Sequence, residues 1–104
     1  MTGVQTCALP ILTKDEFKNP PALPIRSYVN GELRQDSNTE LMINGIEKVI
    51  CELTQGMTLQ AGTIIAMGTP AGVGMGFEPP RFLKRGDVVT CEIEGIGTMT
   101  NKIK

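Results

Sequence analysis

The chain contains no histidine, which removes the commonest general base and any Ser-His or Cys-His dyad built from these residues alone. Aromatics are scarce: Phe17, Tyr28, Phe77 and Phe82 are the whole set. With no basic run beside them and a net charge of −1, there is neither a stacking platform nor a strong field for nucleic acid. No nucleic-acid partner is expected. Cysteines number three, and Cys7, Cys51 and Cys91 are far apart, an odd and dispersed set that suits neither a disulfide framework nor a zinc site. Free thiols in a reducing, cytoplasmic compartment are the expectation. No apolar run approaches the roughly 18 residues that a membrane-crossing helix needs, so no membrane association is expected. At 104 residues with 40% hydrophobic content, the chain is one domain at most, or a piece of one, with enough apolar material for a modest core.

What the sequence does have is glycine in one place. Met67-Gly68-Thr69-Pro70-Ala71-Gly72-Val73-Gly74-Met75-Gly76 follows the apolar run Thr63-Ile64-Ile65-Ala66, which reads as a short buried strand. Glycine tolerates positive φ and lets a backbone or ligand approach closely, and Pro70 presses Thr69 toward an extended conformation. A donor-rich loop at a strand end can cradle a carboxylate or phosphate. The same residues also suit a structural turn with no ligand. Two nucleotide loops are excluded. The spacing Gly72-x-Gly74-x-Gly76 is not the dinucleotide fingerprint, Phe77-Glu78-Pro79-Pro80 stands where a helix would begin, and no Gly-Lys-Ser/Thr follows.

Around this loop the chain reads as mainly β with one helix. Residues 1–11 show neither helical nor strand periodicity and lack the charged start of a signal peptide; they read as a non-native leader, leaving residues 12–104 as the domain portion. Asn19 to Pro24 is a proline-stiffened connector. A strand from Ile25 to Val29 turns at Asn30-Gly31, the strongest short hairpin signal, into Glu32 to Gln35. Counting outward from the turn pairs Val29 with Glu32 and Tyr28 with Leu33, and puts Tyr28, Leu33, Arg26 and Gln35 on one face. Ser37-Asn38-Thr39-Glu40 reads as a capping box opening a helix from about Asn38 to Thr54, stopped by Gln55-Gly56. Met42, Ile46, Val49, Ile50 and Leu53 give that helix one apolar stripe, to be packed on a sheet. Leu59 to Ile65 and Leu83 to Val89 share a pattern of tight turn followed by strand. Cys91 and Ile93 alternate with wet Thr90, Glu92 and Glu94, and Gly95-Ile96-Gly97 turns the chain into a last strand from Thr98 to Ile103.

Taken together, Val29-Asn30-Gly31-Glu32-Leu33-Arg34-Gln35, the Asn38-Thr39…Met42-Ile43 stretch, Gly68-Thr69-Pro70-Ala71-Gly72-Val73-Gly74, Phe82-Leu83-Lys84-x-Gly86-Asp87-Val88-Val89 and Ile93-Glu94-Gly95-Ile96-Gly97 resemble the C-terminal part of the fumarylacetoacetate hydrolase family. The resemblance covers roughly residues 12 to 104, and the Met75 to Pro80 continuation resembles the branch acting on sugar-derived diketo acids and related 2-oxo acids. It implies an α+β, mainly β class: part of a mixed β-roll with one amphipathic helix.

It also implies a metal-dependent hydrolase or isomerase that cleaves, tautomerises or decarboxylates small 2-oxo or β-diketo acids, as a homodimer. The cofactor implied is a divalent cation, magnesium, manganese or calcium. The family's metal-binding Glu-x-Glu and Asp, its acid/base groups and its substrate lysine correspond to positions upstream of what residue 12 matches. No catalytic or metal-ligating residue is therefore expected here, and Glu92-x-Glu94 reads as strand surface instead. Carry-over falls on Thr69 as a substrate contact, with Gly68 and Pro70 shaping the loop, and more weakly on Gln35 and Arg34. Met67 stands where many members have threonine. Two other classes remain open: a non-catalytic β-rich anion-binding module, and a subunit-interface piece. Deleting residues 1–11 should leave the thermal midpoint unchanged; a drop of several degrees in a melting scan would make them part of the fold.

Overall fold

A computed structural model describes residues 13–16 and 22–104. The leader at 1–11, Cys7 and the Asn19-Pro20-Pro21 part of the connector lie outside the described residues. Four strands form one antiparallel sheet: β1 (Pro24–Val29), β2 (Glu32–Asn38), β3 (Val88–Ile93) and β4 (Gly97–Lys102), in the order β2-β1-β3-β4. One helix, α1 (Ile46–Gly56), and the long glycine-rich segment lie between β2 and β3. This is the expected mainly-β α+β class, with one amphipathic helix among the described residues.

The β1–β2 hairpin turns where its sequence dictates. Asn30 and Gly31 take φ values of 51° and 80°, as a primed two-residue turn requires, and Val29 faces Glu32 while Tyr28 faces Leu33. Asn30 also ties the turn to β3. Its amide donates to Asp87 Oδ1 at 2.9 Å, its Oδ1 accepts from the Val88 N–H at 2.9 Å, and its own N–H donates to the Val88 carbonyl at 2.8 Å. Arg85-Gly86 turns the chain into β3 and residues 94–96 turn it into β4, both as expected.

Beyond Tyr28 the register slips. Ser27 pairs with Gln35 and Arg26 with Asp36, so Arg34 is an extra, bulged residue. Gln35 therefore does not share a face with Arg26, Tyr28 and Leu33. It lies with Ser27, on the face toward the glycine loop, while Arg26 bonds Asp36 at 3.1 Å and approaches Glu92 at 3.5 Å. A one-residue insertion flips every side chain beyond it, because the pleat repeats every two residues.

The helix differs from expectation at its start. Asn38, not Ser37, is the cap, and its side chain accepts from the Glu40 N–H at 3.0 Å. It opens only a single 3-10 turn, Thr39–Leu41, before the backbone becomes extended at Met42 (ψ 132°). Asn44-Gly45 is a turn-forming pair that costs a helix about 1 kcal/mol at the glycine alone, so α1 begins only after Gly45. Its end near Gly56 agrees with the Gln55-Gly56 stop.

Nor does α1 lie on the sheet. It makes little contact with the strands, and Ile46 and Val49 line an open groove together with Ile25 and residues 66–71. The run Thr63-Ile64-Ile65-Ala66 forms no ladder, and Ile64 is 93% exposed. A buried strand needs neighbours on both sides, and none of the described residues supplies them. Likewise, Leu59 to Ile65 delivers its turn at Ala61-Gly62 but not its strand. None of the described residues is buried, and Ile43 stands 97% exposed.

Asp87 offers a pH handle. The Asn30 amide and the Lys84 N–H hold its carboxyl below the ordinary value of 3.8. A folded-state value lowered in this way contributes stability that is complete above about pH 4 and is lost as pH falls through the lower folded value. Asp87→Asn should flatten that acid limb in unfolding curves taken at stepped pH. Asn30→Ala, which puts alanine at positive φ and removes two side-chain hydrogen bonds, should cost about 2 kcal/mol by denaturant titration.

Candidate functional site

The glycine loop gets its shape from two close approaches of backbone to backbone. Gly72 takes φ 111° and rests on β2 at the bulge; a Cβ there would run into the Arg34 carbonyl oxygen and the Gln35 side chain. Gly74 rests likewise on the carbonyl of Arg81, while the Arg81 N–H donates to the Gly74 carbonyl at 2.8 Å. Between them Val73 caps a 3-10 turn, Gly74–Gly76. Gly68 also has positive φ, 93°, but a Cβ there would meet open space.

Gln35 fastens the loop to the sheet through every group of its amide. Its Oε1 accepts from Ser27 Oγ at 2.8 Å. Its Nε2 donates to Thr69 Oγ1 at 2.7 Å and to the Pro70 carbonyl at 2.8 Å. Amide orientation is fixed by chemistry here, because the Pro70 carbonyl can only accept and so must face the NH2. Thr69 Oγ1 is consequently an acceptor toward Gln35, and its own hydrogen remains available to donate elsewhere.

Thr69, Gly68 and Pro70 line an open groove of about 740 Å³. Leu41, Ile43, Ile46 and Val49 line it too, so the groove joins a polar lip at the exposed Thr69 to apolar side chains. Among the described residues, no lysine or arginine lines it.

Beyond the loop, a charged cluster clamps the chain that returns toward β3. Arg81 makes a two-pronged pair with Glu32, at 2.7 and 2.9 Å. Arg34 Nε lies 3.3 Å from the same carboxylate, too poorly aligned for a hydrogen bond. Both guanidinium groups also lie by the Phe77 ring, each 5.2 Å from its centroid, within range for cation–π attraction. The hydrogen bond from Arg81 holds the Glu32 carboxyl below its ordinary value, and the same bond raises Arg81.

The sequence from residue 2 to 104 matches the family model described as the C-terminal part of fumarylacetoacetate (FAA) hydrolase. The chain belongs to the fumarylacetoacetate hydrolase family. It is 48% identical over 100 residues to an oxaloacetate tautomerase of Bacillus subtilis, covering 94% of this chain and 33% of that protein. A solved fumarylacetoacetate hydrolase from the psychrophilic Exiguobacterium antarcticum superposes with a TM-score of 0.84 at 47% identity, over 89% of this chain and 33% of that one. A maleylpyruvate hydrolase from Sphingobium sp. SYK-6, solved with manganese(II) and pyruvate, superposes at 0.77 with 37% identity, over 88% and 32%. The chain thus spans about a third of the length of these relatives.

In this family setting the described residues hold no ready cation site. Among them no three His, Cys, Asp or Glu side chains gather, so they do not by themselves fit a divalent ion. Glu92 leans toward Arg26, and Glu94 lies in the turn after β3. Cys51 and Cys91 are free and exposed. No helix of the described residues is long and apolar enough to cross a membrane.

Of the residues singled out from the sequence, Thr69, Gly68, Pro70 and Gln35 come together. Arg34 goes elsewhere, packed against Phe77 with its side chain only 12% exposed. Sequence reasoning missed Ser27, Glu32, Phe77 and Arg81. Ser27 meets Gln35 only because of the bulge, which has no signature in composition or spacing. The contacts of Phe77 with Arg34 and of Arg81 with Glu32 join residues far apart in the chain, beyond the reach of local patterns.

The two positive-φ glycines should respond differently to alanine. Gly68→Ala bears only backbone strain, about 1–2 kcal/mol. Gly72→Ala adds a collision with the β2 backbone and should cost roughly 3 kcal/mol or more, read as a drop in unfolding midpoint. Equal losses would mean that Gly72 does not seat the loop on β2.

Proposed function

We propose that this chain is the substrate-side wall of an enzyme that acts on small 2-oxo or β-diketo acids, by carbon–carbon cleavage, tautomerisation or decarboxylation. The observation that carries the reading is the polarity of Thr69. Gln35 donates to its oxygen, so its hydroxyl hydrogen is left to donate to a ligand in the groove that it lines. A donated hydrogen bond at that lip suits a carboxylate or carbonyl oxygen. The relatives support a 2-oxo acid: one is an oxaloacetate tautomerase, and another was solved with pyruvate.

In this reading Gly68 and Pro70 hold Thr69 at the lip, and the apolar side chains of Ile46 and Val49 take the ligand's carbon chain. The divalent cation and the acid/base groups of the complete enzyme come from outside the described residues; manganese in the maleylpyruvate hydrolase supports a divalent ion in this family. The complete enzyme is a cytoplasmic homodimer. A second reading, a subunit-interface piece without a ligand, is favoured by the exposure of Ile43 and Ile64.

Thr69 decides between them. In the complete enzyme, with this chain joined to the upstream two-thirds that its relatives carry, Thr69→Ala should lower kcat/KM for oxaloacetate about ten- to a hundredfold. Thr69→Ser, which keeps the hydroxyl, should cost little. Full kcat/KM in the alanine variant, or a loss that tracks unfolding, would return the loop to a structural role.

A further inference from the structure

We propose that Gln35 is a positioning residue: it sets the direction of the Thr69 hydroxyl and so makes the lip of the groove a hydrogen-bond donor. This rests on the reading of Thr69 given above. It differs from a role for Gln35 as a substrate contact, and the geometry separates the two. A glutamine amide has two N–H donors and one carbonyl oxygen. Both donors are engaged, by Thr69 Oγ1 and the Pro70 carbonyl, and the oxygen accepts from Ser27 Oγ. No donor is left to reach a ligand.

What Gln35 does instead is impose polarity. Thr69 Oγ1 has one hydrogen and can point it either at Gln35 or into the groove. Because the Pro70 carbonyl forces the NH2 toward the loop, the hydrogen cannot go to Gln35. It goes to the groove, at no reorganisation when an oxo or carboxylate oxygen arrives. The bulge at Arg34 makes this possible by turning Gln35 toward the loop. Ser27 Oγ, in turn, anchors the far side of the amide from β1.

The test is a double-mutant cycle in the complete enzyme, with kcat/KM for oxaloacetate as the readout. Gln35→Met keeps the length of the side chain and removes its hydrogen bonds. It should lower kcat/KM about three- to tenfold in the native background. In a Thr69→Val background, where no hydroxyl remains to be aimed, the same change should cost less than about twofold. A merely structural role would cost equally in both backgrounds and would overturn the proposal. So would a Gln35→Met variant at full activity while Thr69→Val is impaired. If Thr69→Val itself costs nothing, the reading of the site fails first, and Gln35 with it. Gln35→Glu guards against a Met variant that does not fold. Its carboxylate can only accept, so it draws the Thr69 hydrogen away from the groove. Its loss in the native background should exceed its loss in the Thr69→Val background; equal losses would reduce the effect to added charge and overturn the proposal.

Discussion

The glycine loop is seated on the sheet at the bulge in β2, and much of the site depends on it. Arg34 is the inserted residue. Its carbonyl oxygen is the surface on which Gly72 rests, and the slip it introduces brings Gln35 to the loop side of the sheet. Remove the insertion and two things fail at once: the loop loses its seat, and the amide that fastens Thr69 and Pro70 points the other way. Arg34 itself then turns to Phe77 and Glu32, tying the next stretch of chain to the same spot. A bulge is commonly found where a sheet must re-aim a side chain, and here the re-aimed side chain is Gln35.

Those parts whose causes are local were legible in the sequence. Asn30-Gly31 fixed the hairpin and its first two pairs, Gln55-Gly56 marked the end of α1, and Arg85-Gly86 marked the entry to β3. Each is a case where two or three residues alone select the backbone conformation. The parts that were misread depend on competition between signals. Ser37 to Glu40 carried a plausible cap, yet Asn44-Gly45 broke the helix before it could extend. The apolar run at residues 63–66 had the composition of a strand, but a strand exists only through its neighbours.

The candidate site was half legible for the same reason. Thr69, Gly68 and Pro70 adjoin in sequence, so the motif located them together. Gln35 was found as a motif residue without its partners, since its contact with Thr69 spans β2 and the loop. The clamp of Glu32, Arg34, Phe77 and Arg81 joins β2 to residues 77–81, and charge pairing across such a distance leaves no pattern for periodicity to detect. In return, the clamp explains why an exposed loop with so many glycines follows one path: its far end is held by a bidentate ion pair and by a ring that both arginines approach.

The position of β1 has a consequence for the order of events in time. It is the inner strand between β2 and β3, pairing with β2 across a two-residue turn and with β3 across the whole helix and loop, from Ile25 to Ile93. As the chain leaves the ribosome, the hairpin can close at once, but its open edge must wait until β3 has been made. Long-range pairing of this kind is slow and leaves an unpaired strand edge exposed meanwhile. Asn30, which reaches from the finished hairpin to Asp87 and Val88, is the first residue able to catch the arriving strand and set its register.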